Sequence, residues 1–433
     1  MTNTLAMMTQ CASTVGFRGE RFAFESPEAA LMALVTAAPR ISAHECVLLA
    51  DAGSRVLAEP VSLDRDSPPF DHSAMDGYAI GPSLNADTLQ IPVHGDSRIG
   101  HAPPSLTSAG SAIRISTGSP IPAGCDRVIP REDVVEVLDA SGEVAAVRPR
   151  DGVLARSRSG AHVRARGENA RAGARVASAG CVLTSATIAA IAATGRADIS
   201  VFARLRVACL TTGDELAAAG CSAADSTIHN SNLPALTALL QRDGCIALVE
   251  RASVVDDAAA VEAALTRALD LADAIVTTGG VSMGHRDPVR DAIARLGGRV
   301  MFHGLPQRPG KPLLVAEVPR PGRAAAMFFG LPGNPVSALV TATRIALPCM
   351  RAMAGVIQPA TLAPSTRVAL ADDDAKRLDL WWHRLVSIDV DGRARLVPQR
   401  GSGDLIALGR SDGFVEIPPQ ASGSELFRFF PWS

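Results

Sequence analysis

The spacing of apolar residues changes along the chain, and these changes predict its domains. From residue 25 to about 55, apolar positions follow helical spacing after a Ser-Pro pair, which predicts a helix leading into an extended stretch. From about 62 to 164, short alternating runs such as IRISTG and VVEVL are broken by Gly and Pro, a pattern typical of a small β domain. Helical spacing returns at SATIAAIAATG, so the β-rich segment is a candidate insertion.

A second pattern begins at about residue 203, where strand-like and helix-like segments alternate. RVACL, CIALVERASV and DAIVTTGG read as strands, whereas NSNLPALTALLQ, DDAAAVEAALTRALDLA and PVRDAIARLGG read as helices. Such alternation predicts a doubly wound, mostly parallel sheet with helices on both faces. The helix-like NPVSALVTATRIALPCMRAMAG closes this segment. The tail from about 356 contains short strands typical of a small β barrel or sandwich.

Composition narrows the class of protein. A chain of 433 residues suggests about three domains at roughly 150 residues each. A formal net charge of -2 gives no basic excess for nucleic acid. No apolar run approaches the ~18 residues that a membrane span needs. The N-terminal stretch lacks the basic and apolar regions of a secretory signal, so we expect a cytoplasmic protein.

Two residue types add detail. The eight cysteines occur singly, without zinc spacing, and are interpreted as reduced and mostly buried. Of the 42 basic residues only Lys311 and Lys376 are lysines. Because Arg is used almost everywhere else, the Lys in RPGKPLL hints that an ammonium group is needed there.

Two loops place Thr-Thr-Gly at the end of a predicted strand, in LTTGDEL and in VTTGGVSMGHRD. Loops at the carboxyl ends of strands expose backbone N–H groups, and helix N-termini attract anions, so a phosphate-like group is the natural ligand. The alternative is that each loop is only a tight turn that needs glycine for positive φ. Two such loops in one domain favour a site.

Several carboxylates should lie on the same edge of this sheet. Carboxylates beside a phosphate repel it unless a hard cation bridges them, so the pattern indicates Mg²⁺ with oxygen ligands. The alternative for Asp256, Asp257 and Asp287 is helix N-capping. The acidic residues concerned are Asp214, Glu215, Asp256, Asp257 and Asp287.

Four further stretches are dense in Gly, Pro and polar residues. GLPGNPVSAL places Pro332 and Pro335 around a rigid turn at a helix start. QRPGKPLL holds Arg308 and Lys311 in another proline-fixed loop. SAMDGYAI contains Asp76 beside the single tyrosine, and RISTGSPIPAGCD contains a further Thr-Gly loop.

Together these motifs resemble the molybdopterin molybdenumtransferase family. The resemblance rests on SAMDGYA, TGSPIPAGCD, the RxRGEN turn, TTGDEL, TTGGVSMGxxD, PGKP and GLPGNPVSA, in this order. It implies four domains: a discontinuous linker (22–62 and 164–202), an inserted β-rich domain (63–163), an α/β molybdopterin-binding domain (203–354) and a C-terminal β barrel (355–433). It also implies a homodimer in which two chains build each active site.

The resemblance further implies an activity: molybdate is inserted into the dithiolene of adenylated molybdopterin, with Mg²⁺-dependent release of AMP. The expected partners are the upstream adenylyltransferase and recipient molybdoenzymes or chaperones. By similarity, the metal ligands are Asp214, Glu215, Asp256 and Asp287. The expected catalytic residues are Asp76, Thr117, Glu215, Asp256 and Asp287, with Asp76 and Thr117 from the partner chain. The expected substrate-binding residues are Gly213, Asp214, Gly279, Gly280, Ser282, Arg308, Lys311, Pro332, Gly333, Asn334 and Pro335.

The chain departs from the family pattern at several positions. Asn169 stands where the RxRGEN turn usually continues with an aspartate, and an amide cannot supply a proton or a full charge to a metal. Arg308 replaces a usual lysine, and His285 and Arg286 stand where acidic or aromatic residues are common. An alternative function is therefore a molybdopterin-binding carrier or scaffold with reduced or no turnover. The adenylylation step is a weaker alternative, because the single-domain enzymes of that step lack the β domain.

Overall fold

The structure is a computed structural model that describes residues 14–15, 21–217, 220, 225–280, 288–357, 365–372, 376–421 and 425–432. Up to residue 202 its elements are β1 (Thr14–Val15), β2 (Arg21–Phe22), α1 (Pro27–Ala37), β3 (His44–Leu48), β4 (Val61–Ser62), β5 (His72–Ser73), β6 (Gly77–Ile80), β7 (Ile91–Ser97), β8 (Ala112–Ile115), β9 (Arg127–Pro130), β10 (Val134–Leu138), β11 (Val144–Pro149), α2 (Val153–Arg156), β12 (Val163–Arg164), β13 (Arg175–Ala177), α3 (Ser185–Ala192) and β14 (Asp198–Phe202).

The remaining elements are β15 (Leu205–Thr212), β16 (Leu216–Ala217), β17 (Ile228–His229), α4 (Asn232–Gln241), β18 (Ile246–Val254), α5 (Ala258–Leu271), β19 (Ala274–Thr278), α6 (Pro288–Arg295), β20 (Arg299–His303), β21 (Gln307–Arg308), β22 (Leu314–Arg320), β23 (Arg323–Leu331), α7 (Pro335–Thr341), a π-helical turn (Ala342–Ala346), α8 (Leu347–Met353), β24 (Thr366–Ala369), β25 (Trp381–Ile388), β26 (Ala394–Leu396), α9 (Leu405–Gly409), β27 (Gly413–Ile417) and β28 (Leu426–Pro431). Within the described residues no helix is long and apolar enough to cross a membrane.

The chain divides into two compact units. The larger unit comprises 1–59, 178–189 and 196–433, and the smaller unit comprises 60–177 and 190–195. The smaller unit contains a six-stranded sheet in the order β10-β11-β7-β8-β6-β9, in which only the β7–β8 pairing is parallel. The β-rich character expected from about 62 to 164 is therefore present. The finer boundaries given above stay a prediction.

The main sheet of the larger unit has the order β18-β15-β19-β23-β22-β20. The first four strands pair in parallel, whereas β22 and β20 run antiparallel at one edge. The sheet is thus mixed but mostly parallel, as expected: three of its five pairings are parallel, and the two antiparallel pairings involve β22. No strand was predicted between 299 and 331, yet β23 lies in the middle of the sheet. Its run MFFGL is buried on both faces, so it shows no alternation.

Helices cover both faces of this sheet. Leu31 of α1, Leu236 of α4 and Ile345 of the π-helical turn belong to the core on one face. Val261 of α5 and Val289 of α6 belong to the core on the other. The doubly wound arrangement expected from the alternation is therefore present.

The starts of two helices show how local sequence sets element boundaries. The Ser26 hydroxyl accepts a hydrogen bond from Ala29 N at 3.0 Å, and Pro27 occupies the first turn of α1, as the Ser-Pro pair predicts. At α4 the side chain of Ser231 makes no capping bond. Asn230 Oδ1 instead accepts a hydrogen bond from Leu233 N at 3.1 Å.

The C-terminal segment forms a sheet in the order β21-β25-β27-β28-β24, with β26 on β25. Short strands do follow residue 356, as the pattern of the tail predicts: β24, β25, β26, β27 and β28. β21 comes from the α/β segment and pairs in parallel with β25, with Arg308 opposite Trp382. This pairing carries the RPGKP loop onto the C-terminal sheet. Closure into a barrel stays a prediction.

A buried ion cluster links the C-terminal sheet to the helices. Arg344 is 0 % exposed and donates to Glu416 through Nε at 2.6 Å and Nη2 at 3.2 Å. Arg344 also donates to Glu28 at 2.8 Å, and His383 Nε2 lies 3.1 Å from Glu416 Oε2. Burial alone would raise the pKa of Glu416, but the hydrogen bond from His383 and the charge of Arg344 outweigh it and lower that pKa to about 2. Glu416 is therefore ionised at neutral pH.

Candidate functional site

Neighbouring strands β15 and β19 end in the two Thr-Thr-Gly loops. Gly279 and Gly280 have φ angles of 86° and 63°. A Cβ on Gly279 would lie 2.3 Å from the Thr212 carbonyl oxygen, and one on Gly280 would lie 2.6 Å from Val289 Cγ2. Side chains at either position would therefore combine a clash with a left-handed backbone. The turn alone thus explains both glycines, which was the alternative stated above.

The hydroxyl of Thr212 gives this loop a feature that a plain turn does not need. A Cβ on Gly279 would lie 2.8 Å from Thr212 Oγ1, and one on Gly280 would lie 3.3 Å from it. Thr212 Oγ1 is buried and has no hydrogen-bond partner in the part of the chain that the structure describes. A buried hydroxyl normally has a partner. Because Gly279 and Gly280 have no side chains, the loop forms a cradle in which the Thr212 hydroxyl can donate a hydrogen bond. Such a cradle fits a phosphate oxygen.

The GLPGNP turn lies beside this loop. A Cβ on Gly333 would lie 3.8 Å from Gly279 Cα. Asn232 Nδ2 donates to the Gly333 carbonyl at 2.7 Å and lies 3.4 Å from Thr278 Oγ1. Asn232 therefore ties the two loops together.

Asn230 and Asn232 are site residues that the sequence analysis missed. Asn230 Nδ2 donates to Thr211 Oγ1 at 2.7 Å, so it fixes the end of β15. Both amides are buried, at 7 % and 9 % exposed. The available signal was the run His-Asn-Ser-Asn at the start of a helix, which was interpreted only as part of that helix.

Three of the predicted acidic residues approach one another. Asp214 Oδ1 accepts a hydrogen bond from Asp256 N at 2.9 Å. Partial burial and then the negative charges of Asp214 and Glu215 raise the pKa of Asp256. Asp257, in contrast, is the N-cap of α5 and accepts from Ala259 N and Ala260 N, both at 3.0 Å. The capping alternative therefore holds for Asp257.

The fit of this acidic group to Mg²⁺ follows from its donor atoms. Within the described ranges no three His, Cys, Asp or Glu side chains are placed to hold a metal ion by themselves. Mg²⁺ is usually bound by one or two carboxylates, with waters and substrate phosphates completing the shell. An acidic group in which Asp214 and Glu215 help to raise the pKa of Asp256, beside the glycine cradle, fits that mode. The predicted residues Ser282 and Asp287 lie outside the described residues.

In the smaller unit Asp76 and Thr117 contact each other. Asp76 Oδ1 accepts hydrogen bonds from Thr117 N at 2.6 Å and Thr117 Oγ1 at 2.9 Å. These bonds, the backbone one first, lower the pKa of Asp76. Asn169 Oδ1 accepts from Arg164 Nη2 at 3.5 Å. The structure thus brings the SAMDGYA and STG motifs together, and their contribution to a partner's site stays a prediction.

A cavity of about 560 Å³ in the larger unit contains four other predicted residues: Arg308, Lys311, Pro332 and Asn334. Strands and loops of the C-terminal segment form its other wall. Asn334 Nδ2 donates to Ser402 Oγ at 3.0 Å, which joins the GLPGNP turn to that wall. Gly333 and Pro335 belong to the same turn but do not line the cavity.

The cavity is strongly cationic. Lys376 and Arg384 both lie over the Trp382 ring, with Arg384 Cζ 4.2 Å from its centroid. Both lysines of the chain line this one cavity. The sequence hint at Lys311 was therefore informative, but it missed Lys376. The cationic lining residues are Arg308, Lys311, Lys376, Arg384 and Arg400.

Comparison with known proteins gives matches over most of the chain. Residues 25–195 match the family model described as MoeA N-terminal region (domain I and II), and residues 208–352 match the one described as probable molybdopterin binding domain. The molybdopterin molybdenumtransferase of Nostoc is 31 % identical, covering 86 % of this chain and 85 % of the relative. The molybdopterin molybdenumtransferase of Synechococcus elongatus is 33 % identical, covering 87 % and 91 %.

Solved structures agree with these matches. Two structures of the molybdopterin biosynthesis MoeA protein of Pyrococcus horikoshii are 25 % and 24 % identical, with TM-scores of 0.72 and 0.75. Each alignment covers 94 % of this chain and 99 % of that protein.

Proposed function

Because the chain belongs to the molybdopterin molybdenumtransferase family, a family of transferases in molybdenum cofactor biosynthesis, we propose that it inserts molybdate into the dithiolene of adenylated molybdopterin. Release of AMP in the presence of Mg²⁺ accompanies the insertion. The main support for this proposal is the cationic cavity, which is lined by both lysines of the chain. Molybdate is a compact tetrahedral dianion, and an ammonium group is a compact point charge that suits it.

The second substrate site is the phosphate cradle at the ends of β15 and β19. Gly279 and Gly280 keep side chains out, and the buried Thr212 hydroxyl can donate to a phosphate oxygen. The GLPGNP turn contacts this cradle through Gly333 and lines the cavity through Pro332 and Asn334. One turn thus borders both substrate sites, which suits a reaction between two bound molecules.

The acidic group beside the cradle would hold Mg²⁺. Asp214, Glu215 and Asp256 supply carboxylate oxygens, and Asp287 stays a predicted fourth ligand. Bound there, the ion would offset the negative charge of the phosphoanhydride. The residues of the chain position the two substrates. Thr212 and the glycine loop orient the phosphate, and the cations of the cavity hold the oxyanion close to the dithiolene. Asp76 and Thr117 of a second chain complete the proposed site in a homodimer.

The experiment that tests the function measures AMP release by the purified chain from adenylated molybdopterin. We expect AMP release that requires both molybdate and Mg²⁺, with formation of the molybdenum cofactor in equal amount. Boiled protein and sulfate in place of molybdate are the controls. Tight binding of the adenylated pterin without AMP release, even at high molybdate, would instead indicate the carrier function.

The oxyanion site is tested by Lys311→Met. Hydrogen bonds to charged groups contribute about 1.5–3 kcal/mol, so we expect the Kd for molybdate to rise about tenfold or more. Calorimetric titration with sodium molybdate measures the change. Arg295→Met is the matched control, because it removes the same charge from an exposed pair between Arg295 on α6 and Glu262 on α5. Equal affinities for the two variants would place the molybdate site elsewhere.

A further inference from the structure

Gln307 and His383 line the cavity but have no role in the molybdate insertion proposed above. Gln307 and His383 are each 1 % exposed. Gln307 Oε1 and His383 Nδ1 both have no hydrogen-bond partner in the described part of the chain. A buried polar atom without a partner costs about 1–3 kcal/mol. Both residues belong to the wall of the cavity, so a ligand bound there, or a water molecule that accompanies it, is the candidate partner.

The protonation of His383 follows from its contact with Glu416. Glu416 is ionised at neutral pH, and an ionised carboxylate only accepts hydrogen bonds. His383 Nε2, 3.1 Å from Glu416 Oε2, must therefore carry a proton. In the neutral ring, Nδ1 is then the acceptor. A buried carboxylate that fixes the tautomer of a histidine and stabilises its charged form is the arrangement used for general bases in hydrolases.

We propose that His383 is the proton-relay residue of the oxyanion cavity, accepting a proton at Nδ1 and transferring it to an oxygen of the bound molybdate. Glu416 acts through His383 and is a positioning residue. This inference rests on the proposed function.

The reaction needs such a relay. When molybdate reacts with the protonated dithiolene, two Mo–S bonds form and one Mo–O bond breaks. The two protons that leave the sulfurs end in the water molecule that carries away the lost oxygen. Molybdenum is neither oxidised nor reduced, so atoms, charge and electrons balance without a further reactant. His383 receives one thiol proton and delivers it to the departing oxygen, and the second proton follows after the first Mo–S bond has formed.

The charges around His383 suit a transient proton. Glu416 on β27 stabilises the imidazolium, and Arg344 on the π-helical turn holds Glu416 in place. Phe414 packs edge-on against the imidazole at 5.3 Å and adds no charge. Five further cationic residues line the same cavity: Arg308, Lys311, Lys376, Arg384 and Arg400.

Two substitutions separate proton transfer from a structural role. The amide nitrogen of His383→Gln can occupy the position of Nε2 and keep the bond to Glu416, but the group at Nδ1 is lost. His383→Asn keeps an amide near Nδ1 and loses the bond to Glu416. Melting temperature, molybdate Kd and the rate of molybdate-dependent AMP release between pH 5 and 8 are measured for the wild type and both variants.

We expect both variants to lower the rate about 10²-fold, since proton transfer by a positioned side chain contributes about 10²–10⁴-fold. Only His383→Asn should lower the melting temperature, and the Kd of His383→Gln should stay within about twofold. The pH profile of the rate should differ between the wild type and His383→Gln. If His383→Gln keeps the wild-type rate and pH profile, the inference is wrong.

A second readout does not depend on turnover. The chain contains nine histidines, and after ¹⁵N labelling of histidine the resonances missing from His383→Gln identify His383. Saturation with sodium molybdate, in the absence of pterin, should shift the Nδ1 resonance. An unchanged Nδ1 resonance at saturation overturns the relay even if the chain releases AMP. Absence of AMP release by the wild type would overturn the proposed function instead, so the two failures are distinguishable.

Discussion

Replacement of Asp256 by asparagine is expected to lower molybdate-dependent AMP release about 10²–10³-fold, in the range found when a preorganised charge-stabilising group is removed. The same substitution should leave the melting temperature unchanged or raise it. The pKa of Asp256 is raised by partial burial and by the carboxylates of Asp214 and Glu215. A carboxyl group whose pKa is higher in the folded than in the unfolded state destabilises the fold once it is ionised. Asparagine removes that charge at neutral pH.

The adjacent residue provides the control. Asp257 caps α5 through two backbone N–H groups, and Asp257→Ala should lower stability by about 1 kcal/mol with little effect on AMP release. Opposite changes in stability and activity at neighbouring positions would mark Asp256 as a functional residue. Paired assays of melting temperature and initial rate at saturating Mg²⁺ give the comparison. Wild-type turnover by Asp256→Asn would remove Asp256 from the proposed metal ligands.

The second large effect is expected for Glu416→Gln, which should destabilise the larger unit by about 3–5 kcal/mol. Among the described residues, the substitution leaves Glu28, whose side chain is 45 % exposed, as the one carboxylate paired with the fully buried guanidinium of Arg344. Removing one member of a buried ion pair costs more than the pair contributes, because the remaining charge stays out of water. Urea unfolding at pH 7 measures the change.

The acid dependence of stability gives an independent check on Glu416. Its folded-state pKa, about 2, lies below the ordinary value of 4.5, so it stabilises the fold above about pH 4.5. That contribution is lost as pH falls from about 4.5 to about 2. The stability of Glu416→Gln should therefore decline less over this range than that of the wild type. Glu28→Gln is the control, since the half-exposed Glu28 should contribute much less. Equal destabilisation by Glu28→Gln and Glu416→Gln would contradict the assignment of Glu416 as the main partner.

Several features of the fold could be predicted from the sequence because they depend on nearest neighbours. The Ser26 cap and the alternation of strands and helices after residue 203 are set by interactions within a few residues, and the two glycine loops are visible as Thr-Thr-Gly motifs. The central strand β23 and its neighbour β22 were missed, because a strand buried on both faces has no polar alternation to detect.

For the candidate site, too, some features could be predicted from the sequence and others depend on contacts between distant residues. The sequence placed Asp214, Asp256 and the glycine loops at one sheet edge, because parallel strands end on the same side. It could not show that Asn232 joins Gly333 to the end of β19, since these residues are about a hundred positions apart.

By itself, then, the sequence determined the order of elements, the loops at the strand ends and the family motifs. The tertiary structure decided which distant side chains meet. It brought Lys311 and Lys376 into one cavity, and it enclosed Arg344 with Glu416, 72 positions away. The local spacing of apolar residues cannot reveal such pairs, because burial and charge pairing depend on how β21 and β25 align two segments of the chain.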